Sequence, residues 1–198
     1  MKLSVLIPAY NPGNWLRGIL DSLRKQIVDH PDTEIIIVDD GSTEDLAWVM
    51  DYPGVRYIRR KNGGEPSARN MCLKMATGEY IHIHDSDDYV YTDLYEALIN
   101  RLDGADIYCM DLIVNDGSVF HIDEAHKRGY CAQIARFIRR EFADGLQFPE
   151  DQKAGDDWFF AEALLERNPA TIYTGVPAYH YNFPREGSLF DMQRKGLL

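Results

Sequence analysis

Three carboxylates crowd a short stretch of the chain, immediately after an alternating run that is typical of a β-strand. The run Ile81–His84 leads into Asp85, and Asp87 and Asp88 follow within the next three residues. Like charges a few Å apart raise one another's pKa unless a cation lies among them. Mg²⁺ and Mn²⁺ take oxygen ligands and often bind one or two carboxylates together with substrate phosphates. Asp85 and Asp87 therefore indicate a nucleoside diphosphate site, although an isolated Asp-x-Asp is more often a solvated turn.

The elements that precede the acidic stretch repeat one pattern, an apolar run followed by a polar loop and a helical segment. The apolar runs Leu3–Ile7, Glu34–Val38 and Val55–Ile58 are short and rich in β-branched residues, which favours strands buried in a parallel sheet. This repetition predicts right-handed βαβ units and a doubly wound sheet, whose ligands bind beyond the carboxyl ends of the strands. The loops that should line this crevice are 8–13, 39–43, 61–67 and 85–88.

The helices of the first half have recognisable ends. Asn14 suits the N-cap of the first helix, and Ser42 or Thr43 suits that of a second, which contains Leu46. Gly78 is expected to end the third helix.

The second half of the chain predicts a more mixed arrangement. Asp106–Val114 is predicted as one strand, and Asn115–Ser118 as a hairpin turn from which the chain returns antiparallel. Apolar residues from Ile134 to Ile138 predict a helix with its arginines on the exposed side. The remaining predictions are a helix from Thr92, a helix opened by Gly155–Asp157, and strands at 171–173 and 176–181.

The bulk composition is that of an ordinary folded protein. Of the 198 residues, 45% are hydrophobic and 27% are charged, which suits one soluble globular domain. The formal net charge of −11 argues against a nucleic-acid partner, which requires clustered cations. It also disfavours membrane adhesion by charge alone, while a local basic patch would still permit peripheral contact.

No segment predicts export or membrane insertion. The apolar run at Leu3–Ile7 is far shorter than a signal-peptide core, and no run of about eighteen apolar residues is present to span a membrane. Cys72, Cys109 and Cys131 have neither zinc-site spacing nor an even count, so we interpret them as reduced thiols. We therefore expect a cytoplasmic protein, with peripheral contact at the inner face of the cell membrane left open.

Five motifs occur in the order found in one enzyme family. They are Ser4–Asn11, Ile37–Thr43, Asn62–Gly64 with Ser67–Asn70, Asp85–Asp88 and Gly155–Trp158. Over residues 1–185 they resemble those of the family 2 glycosyltransferases, and their order makes the likeness specific although each motif alone is weak. The resemblance implies an α/β fold of the GT-A type, a Rossmann-like α/β/α sandwich with a mainly parallel central sheet and a small antiparallel extension.

The resemblance also implies a domain organisation. Residues 1–185 are expected to form a single glycosyltransferase domain, with a nucleotide-binding half over about residues 1–90 and an acceptor half over about residues 91–185. Residues 186–198 are expected to form a C-terminal tail.

The resemblance implies that the first strand ends bind a nucleotide. Pro8, Ala9 and Tyr10 would wall the base pocket, and Asp39 would accept a hydrogen bond from the base edge, as in uridine recognition. Arg69 would reach the base or the diphosphate, since it lies one turn into a helix whose N-terminus faces the crevice. Further donor-binding positions in these motifs are Asn11, Asp40, Gly41, Asn62 and Gly63.

The acidic stretch is assigned to the rest of the donor. Asp85 would contact the ribose together with Ser86, and Asp87 would bind the Mn²⁺ or Mg²⁺ ion that bridges the diphosphate. Asp88 could contact the sugar or cap the following turn. The late His180 is a candidate for a further metal ligand, and Arg185 could pair with the diphosphate. For His82 and His84, core or supporting positions are favoured over metal ligation.

Catalysis is assigned to the acidic pair at residues 156 and 157. Inverting transfer needs a carboxylate on the sugar face opposite the departing diphosphate, to take the proton of the attacking hydroxyl. The resemblance gives this role of general base to Asp157, with Asp156 beside it in the substrate site. Acids are also favoured in a first helical turn for dipole reasons alone, so capping is the alternative. Trp158 could stack on an acceptor sugar or belong to the core.

The resulting hypothesis is an inverting, metal-dependent transferase that moves a sugar from a UDP-sugar to a glycan or a lipid-linked glycan in surface polysaccharide synthesis. Two alternatives stay open. A non-catalytic nucleotide-sugar-binding subunit would bind donor without transfer. A sugar-phosphate nucleotidyltransferase would require a Gly-rich basic loop after the first strand, which Pro8–Gly13 lacks.

Overall fold

The computed structural model describes residues 1–123, 133–152 and 155–183 together with Lys195, and describes the backbone only for residues 25–29. The predicted α/β fold is confirmed. The first-half elements are β1 (Leu3–Ala9), α1 (Trp15–Asp29), β2 (Thr33–Asp39), a 3₁₀ helix (Ala47–Asp51), β3 (Val55–Arg59), α2 (Glu65–Met75) and β4 (Tyr80–Ile83). The elements that follow are β5 (Tyr89–Val90), α3 (Thr92–Ile99), β6 (Ile107–Cys109), β7 (Leu112–Val114), β8 (Val119–Phe120), a 3₁₀ helix (Gln133–Ala135), β9 (Arg136–Arg139), α4 (Asp156–Glu166), β10 (Thr171–Tyr173) and β11 (Tyr179–Tyr181).

A seven-stranded sheet forms the centre, in the order β10-β6-β9-β4-β1-β2-β3. Only β9 runs antiparallel to its neighbours, and the other pairs are parallel. Every residue of β1, β2 and β4 is buried, as expected for central strands covered on both faces. Helix α1 connects β1 to β2 in one direction across the sheet, and α2 connects β3 back to β4 in the other. Right-handed crossovers of opposite direction put the two helices on opposite faces.

One predicted helix is wrong, because the segment from Arg136 to Arg139 is strand β9. Phe137 pairs with His82 on one side and with Tyr108 on the other. These two neighbouring strands outweigh the helical spacing of a short apolar run, which by itself cannot distinguish a helix from a buried strand. Arg136 is consequently 2% exposed, although its side chain was predicted to lie on a solvated face.

The predicted strand from Asp106 to Val114 is divided into two strands of different sheets. Between β6 and β7, the Met110 amide donates to Ala135 O (2.9 Å) and the Asp111 amide donates to Val176 O (2.9 Å). These contacts carry the chain from the central sheet to a four-stranded sheet in the order β5-β11-β7-β8. The predicted hairpin is confirmed, since β7 and β8 pair antiparallel around Gly117.

The predicted second helix is a shorter element. Ala47–Asp51 is a 3₁₀ helix whose first turn has no side-chain cap, so neither Ser42 nor Thr43 caps it. Both side chains are used instead to join neighbouring loops. None of the helices in the described part of the chain is long and apolar enough to cross a bilayer.

Candidate functional site

The loops that follow β1 and β2 are joined side by side. The Asn11 amide donates to Ser42 Oγ (2.9 Å), while Asn11 Oδ1 accepts from the Thr43 amide (2.8 Å) and hydroxyl (3.0 Å). Pro8 and Ala9 are buried in front of these loops, whereas the Tyr10 ring is 53% exposed. Tyr10 is thus an exposed aromatic side chain at the end of β1, beside two loops that are hydrogen-bonded to each other.

Asp39 ends β2 as a fully buried carboxylate. Its Oδ1 accepts from the Ser42 amide (2.8 Å) and its Oδ2 accepts from the Tyr57 hydroxyl (2.7 Å), with Arg59 Nε 3.6 Å away. Burial raises the pKa of Asp39, but these hydrogen bonds and the Arg59 charge outweigh it and leave the pKa lowered. Asp39 is therefore an anion that stabilises the loop after β2, and its carboxylate retains lone pairs that can accept a further hydrogen bond.

Asp40 fastens the loop after β3 to the loop after β2. Its carboxylate accepts from the Gly63 amide (3.0 and 3.1 Å) and the Gly64 amide (2.7 Å), and Arg60 Nε lies 3.2 Å away. Asp40 is 2% exposed. Although the sequence assigns it to the substrate, its observed contacts are with two backbone amides and the Arg60 side chain.

Gly41 allows these two loops to approach closely. Its φ is +78°, and a Cβ at this position would lie 2.8 Å from the Asn62 amide nitrogen. Asn62 Nδ2 donates to Asp40 O across the same gap (2.9 Å). A side chain at position 41 would therefore separate the two loops.

Arg69 joins three carboxylates from three different elements. Its Nη2 lies 2.6 Å from Glu65 Oε1 and 3.3 Å from Asp85 Oδ1, and its Nη1 lies 2.7 Å from Asp156 Oδ2. The guanidinium carbon also lies 5.4 Å from the centre of the Phe148 ring. Arg69 is 7% exposed, and although burial lowers its pKa, the surrounding carboxylates raise it by more. The arginine thus connects the acidic loop after β4 to the acidic pair of α4.

Glu65 is a member of this cluster that the sequence did not single out. Burial raises its pKa, Arg69 lowers it, and the charges of Asp85, Asp156 and Asp157 raise it again, to about 7. The signal in the sequence is the four-residue spacing of Glu65 and Arg69 on one helix, which places their side chains on the same face.

Asp157 lies beside the Arg69 cluster in the first turn of α4. It is half-buried, and its Oδ1 accepts from the Trp158 amide (2.9 Å). Burial raises its pKa, Arg69 lowers it, and Asp156 and Asp85 raise it, with a raised pKa as the result. Trp158 is 42% exposed and so does not belong to the core. The alternative function of Asp157 as a capping residue is compatible with its contact to Trp158.

Asp88 holds the end of strand β11 beside the acidic loop. It is 1% exposed, and its Oδ1 accepts from the Asn182 amide (2.8 Å) at the end of β11. Burial and the charge of Asp85 raise its pKa well above the ordinary value. Tyr179 and Tyr181 of β11 also face the acidic loop: the Tyr179 hydroxyl accepts from the Asp85 amide (3.2 Å), and the neighbouring carboxylates raise the pKa of both phenols beyond the effect of burial. Neither tyrosine was predicted as a site residue.

The acidic loop suits a divalent cation only if substrate supplies some of the ligands. Asp85, Ser86 and Asp87 are half-buried, so carboxylate and hydroxyl oxygens border the crevice. Within residues 1–123, 133–152 and 155–183, no three or more His, Cys, Asp or Glu side chains are grouped to enclose a metal ion. Mg²⁺ and Mn²⁺ commonly bind one or two carboxylates and complete their coordination with phosphates and water. The oxygen donors present suit that arrangement.

His82 and His84 are buried inside the fold, as predicted. His82 Nδ1 lies 2.6 Å from the Tyr95 hydroxyl and Nε2 lies 2.8 Å from Ile134 O, while His84 Nδ1 lies 2.8 Å from Asp85 O. Burial lowers their pKa values to about 3 and about 4. Both rings are therefore neutral, and they pack on the buried side of the acidic loop.

His180 does not join the acidic loop. It lies between Tyr179 and Tyr181 on β11, and alternate residues of a strand face opposite ways. Its ring stacks on Tyr89 at 4.2 Å, and its two nitrogens lie 3.3 Å from the Tyr91 hydroxyl and 3.0 Å from Asn115 Oδ1. In this structure both ring nitrogens of His180 contact protein side chains, and its assignment as a further metal ligand stays a prediction. Arg185, the other late candidate, and Cys131 lie outside the described residues.

The sequence matches a family model over most of its length. The model described as Glycosyl transferase family 2 matches residues 4–170. Among curated relatives, glycosyltransferase GlyG of Streptococcus pneumoniae is 33% identical over 170 residues, which covers 82% of this chain and 54% of GlyG. The poly(ribitol-phosphate) β-N-acetylglucosaminyltransferase TarS of Staphylococcus aureus is 27% identical over 209 residues, which covers 94% of this chain and 36% of TarS. The chain thus spans about half of GlyG and about a third of TarS.

Solved structures show the same fold. TarS residues 1–349 in complex with UDP-GlcNAc superpose with a TM-score of 0.80 at 23% identity, covering 95% of this chain and 60% of that one. The mannosyltransferase PcManGT from Pyrobaculum calidifontis, in complex with GDP-Man and Mn²⁺, superposes with a TM-score of 0.73 at 21% identity, covering 94% and 58%. These likenesses identify the fold as GT-A.

Proposed function

Because the chain belongs to glycosyl transferase family 2, we propose that it is an inverting glycosyltransferase that moves a sugar from a UDP-sugar to a hydroxyl of a glycan or lipid-linked glycan. The relatives' names support this proposal. TarS is described as an N-acetylglucosaminyltransferase acting on poly(ribitol-phosphate), and GgaB of Bacillus subtilis, 25% identical over 211 residues, as a minor teichoic acid biosynthesis protein. A place in surface polysaccharide synthesis belongs to the same proposal.

The donor occupies the crevice at the ends of β1 to β4. Tyr10, Pro8 and Ala9 wall the base, and Asp39 accepts a hydrogen bond from the base edge with a remaining lone pair. Asp85 contacts the ribose, and its ion pair with Arg69 is partly lost when it does so. Asn11, Gly41, Asn62, Gly63 and Ser86 support the donor through the loop backbones.

The cation that the family commonly uses fits this crevice through Asp87. When bound, Mg²⁺ or Mn²⁺ supplies positive charge that offsets the diphosphate and stabilises the departing nucleotide. Asp87 would hold the ion, and Arg69, paired with Asp85, would add a second positive charge for the diphosphate.

Asp157 performs the proton transfer. As the acceptor oxygen forms its bond to the anomeric carbon, the bond from that carbon to the diphosphate oxygen breaks, and the nucleoside diphosphate leaves with the electron pair. The acceptor's hydroxyl proton passes to the Asp157 carboxylate. Asp156 stays paired with Arg69 and orients the first turn of α4 for this step.

The observation that carries the proposal is the bridge made by Arg69 between Asp85 and Asp156, at 3.3 and 2.7 Å. It brings together the donor loop and the acidic pair from positions more than 70 residues apart in the sequence. This juxtaposition suits direct transfer between a donor and an acceptor bound on either side of Arg69.

Two variants test the proposal. Asp87→Ala should lose cation-dependent UDP-sugar binding in calorimetry, because the carboxylate that would hold the cation is removed. Asp157→Asn should bind the donor with unchanged affinity but transfer sugar at least about 100-fold more slowly, as expected for loss of a general base. Full turnover by Asp157→Asn would refute its role, and the absence of stabilisation by any nucleotide sugar in a thermal-shift screen would refute the donor site.

A further inference from the structure

The small sheet presents one face away from the core. Cross-strand pairing aligns Tyr89 with His180, His180 with Ile113, and Ile113 with Val119. Residues paired in this way lie on the same face of a sheet; we call these four the outer row. Tyr89 is 37% and Val119 is 42% exposed. The paired row on the opposite face includes the buried residues Val90, Tyr179 and Leu112.

The aromatic rings of the outer face are held in place before any ligand binds. His180 stacks on Tyr89 with the ring planes 12° apart, and the Tyr91 ring meets Tyr89 edge-on with centres 5.7 Å apart. Asn115 Oδ1 can only accept, so His180 Nε2 donates to it and Nδ1 accepts from the Tyr91 hydroxyl. Partial burial lowers the pKa of His180, which keeps the ring neutral. Binding to such a surface loses little side-chain freedom.

Two amides extend this face to the acidic loop. Asn115 Nδ2 donates to Asn182 Oδ1 (3.0 Å), and Asn182 in turn donates from its amide nitrogen to Asp88 Oδ1 and from Nδ2 to Asp87 O (3.3 Å). Asn182 therefore connects the outer face to the acidic loop, through its contacts with Asn115, Asp87 and Asp88.

The aromatic and amide side chains of the outer face carry no charge, and the Asp111–His121 pair (2.7 Å) lies at the other end of β7 from Asn115. Tyr89, Tyr91, His180, Asn115 and Asn182 carry no charge at neutral pH, whereas the whole chain has a formal net charge of −11. An uncharged polyhydroxyl ligand complements this face, because it requires no buried charge to be desolvated. Aromatic rings receive the C–H face of a sugar, and amide groups both donate to and accept from its hydroxyls.

We propose that this outer face binds an uncharged stretch of the glycan acceptor and leads it toward the acidic loop. The inference rests on the proposed function, since a glycosyltransferase requires an acceptor beside its donor. Tyr89 supplies the stacking surface, and Asn115 and Asn182 supply hydrogen bonds along the path. His180 thereby has a role in acceptor binding.

The test uses an array of uncharged oligosaccharides and the 198-residue chain. The best-bound oligosaccharide is then titrated by NMR with isotope-labelled methyl groups. We expect the Ile113 and Val119 methyl signals to shift, while those of Ile172, an exposed residue of β10 in the other sheet, stay in place. Tyr89→Ala should raise the dissociation constant for the oligosaccharide by about fivefold or more, which is the effect expected for losing an aromatic contact.

Tyr173→Ala is the matched control, because Tyr173 is a tyrosine of similar exposure on β10 (42%). Its affinity for the oligosaccharide should equal that of the unchanged chain. Val119→Lys gives a second disruption of the face should Tyr89→Ala not fold, which circular dichroism would reveal. No binding on the array, or binding that neither outer-face variant weakens, would overturn the inference.

Donor binding separates this inference from the proposed function. Both outer-face variants should bind UDP-sugar with the affinity of the unchanged chain. Donor binding without glycan binding at Ile113 and Val119 would refute the outer face alone. Glycan binding there without any nucleotide-sugar binding would refute the donor assignment and leave the outer face as a glycan site.

Discussion

At the scale of single residues, the site depends on how one buried cation is shared among carboxylates. Arg69 pairs with Glu65, Asp85 and Asp156, and its charge also lowers the pKa of Asp157. Without the arginine, four acids would face one another at the crevice. The negative charge of these acids is therefore offset largely by one side chain, and both predictions at this scale follow from that arrangement.

The first prediction concerns the pH dependence of transfer. Asp157 must be deprotonated to accept a proton, so turnover falls as the pH drops through its pKa. Because burial and neighbouring acids raise that pKa above the ordinary value of 3.8, the acidic limb should lie at a higher pH than an unperturbed aspartate would give. The profile of kcat against pH measures this. A limb at or below the ordinary value would contradict it.

The second prediction concerns Arg69→Met. The change leaves buried carboxylates without their partner, which typically costs about 3–5 kcal/mol of unfolding free energy. Urea unfolding at pH 7 measures the loss. Arg17→Met is the control, because Arg17 is exposed and lies over the Trp48 ring at 4.2 Å, a contact worth about 0.5–1 kcal/mol. Equal losses in the two variants would show that the Arg69 cluster is not a stabilising feature.

At the scale of elements, the loops after the strands are fixed to one another more than to the helices that follow them. Asn11 joins the first loop to the second, and Asp40 joins the second to the third. Gly41 lies at the closest approach, where a Cβ would meet a backbone nitrogen. The shape of the predicted base pocket thus depends on contacts between loops.

A pair of glycine variants tests this arrangement. Gly41 and Gly117 have similar positive φ angles, +78° and +84°, but a Cβ at position 117 meets nothing within 4 Å. Gly117→Ala should lose about 1–2 kcal/mol from backbone strain alone. Gly41→Ala should lose a further 1–3 kcal/mol, roughly, because the Asn62 backbone must move. Thermal unfolding measures both, and equal losses would mean that the loops tolerate separation.

At the scale of the whole molecule, strands from both halves of the sequence form one central sheet. β6, β9 and β10 extend the sheet started by β1 to β4. At the amino end of this sheet, away from the crevice, the Glu34 carboxylate accepts from Ser4, Thr77 and Arg56 at 2.7 to 2.8 Å. That buried anion fastens three segments of the sheet.

Glu34 should contribute to stability in a defined pH range. Burial raises its pKa, but its hydrogen bonds outweigh this and lower the pKa from 4.5 to about 2. A lowered pKa stabilises the folded state above pH 4.5, and this stabilisation is lost as the pH falls toward 2. Glu34→Gln should therefore be less stable than the unchanged chain at pH 7, with a smaller difference at pH 3. Urea titrations at both pH values measure it, and the exposed Glu79→Gln should show neither effect.

Local patterns in the sequence were enough to determine the repeated strand, loop and helix units and the acidic loop after β4. Each of these depends on neighbours along the chain, such as alternation, β-branched runs and turn residues. The family motifs identified Asp85, Asp87 and Asp157 as candidates for the same reason, because each lies at the end or start of a recognisable element.

Only the tertiary structure decided how distant segments pair. A short apolar run became β9 because it lies between β4 and β6, and its own spacing did not distinguish strand from helix. His180 stacks on Tyr89 because β11 and β5 pair in the register that sets these two residues opposite each other. Arg69 meets Asp156 across 87 residues of sequence. Such contacts depend on which strands are neighbours and which faces they share, and neither is encoded in the residues on either side.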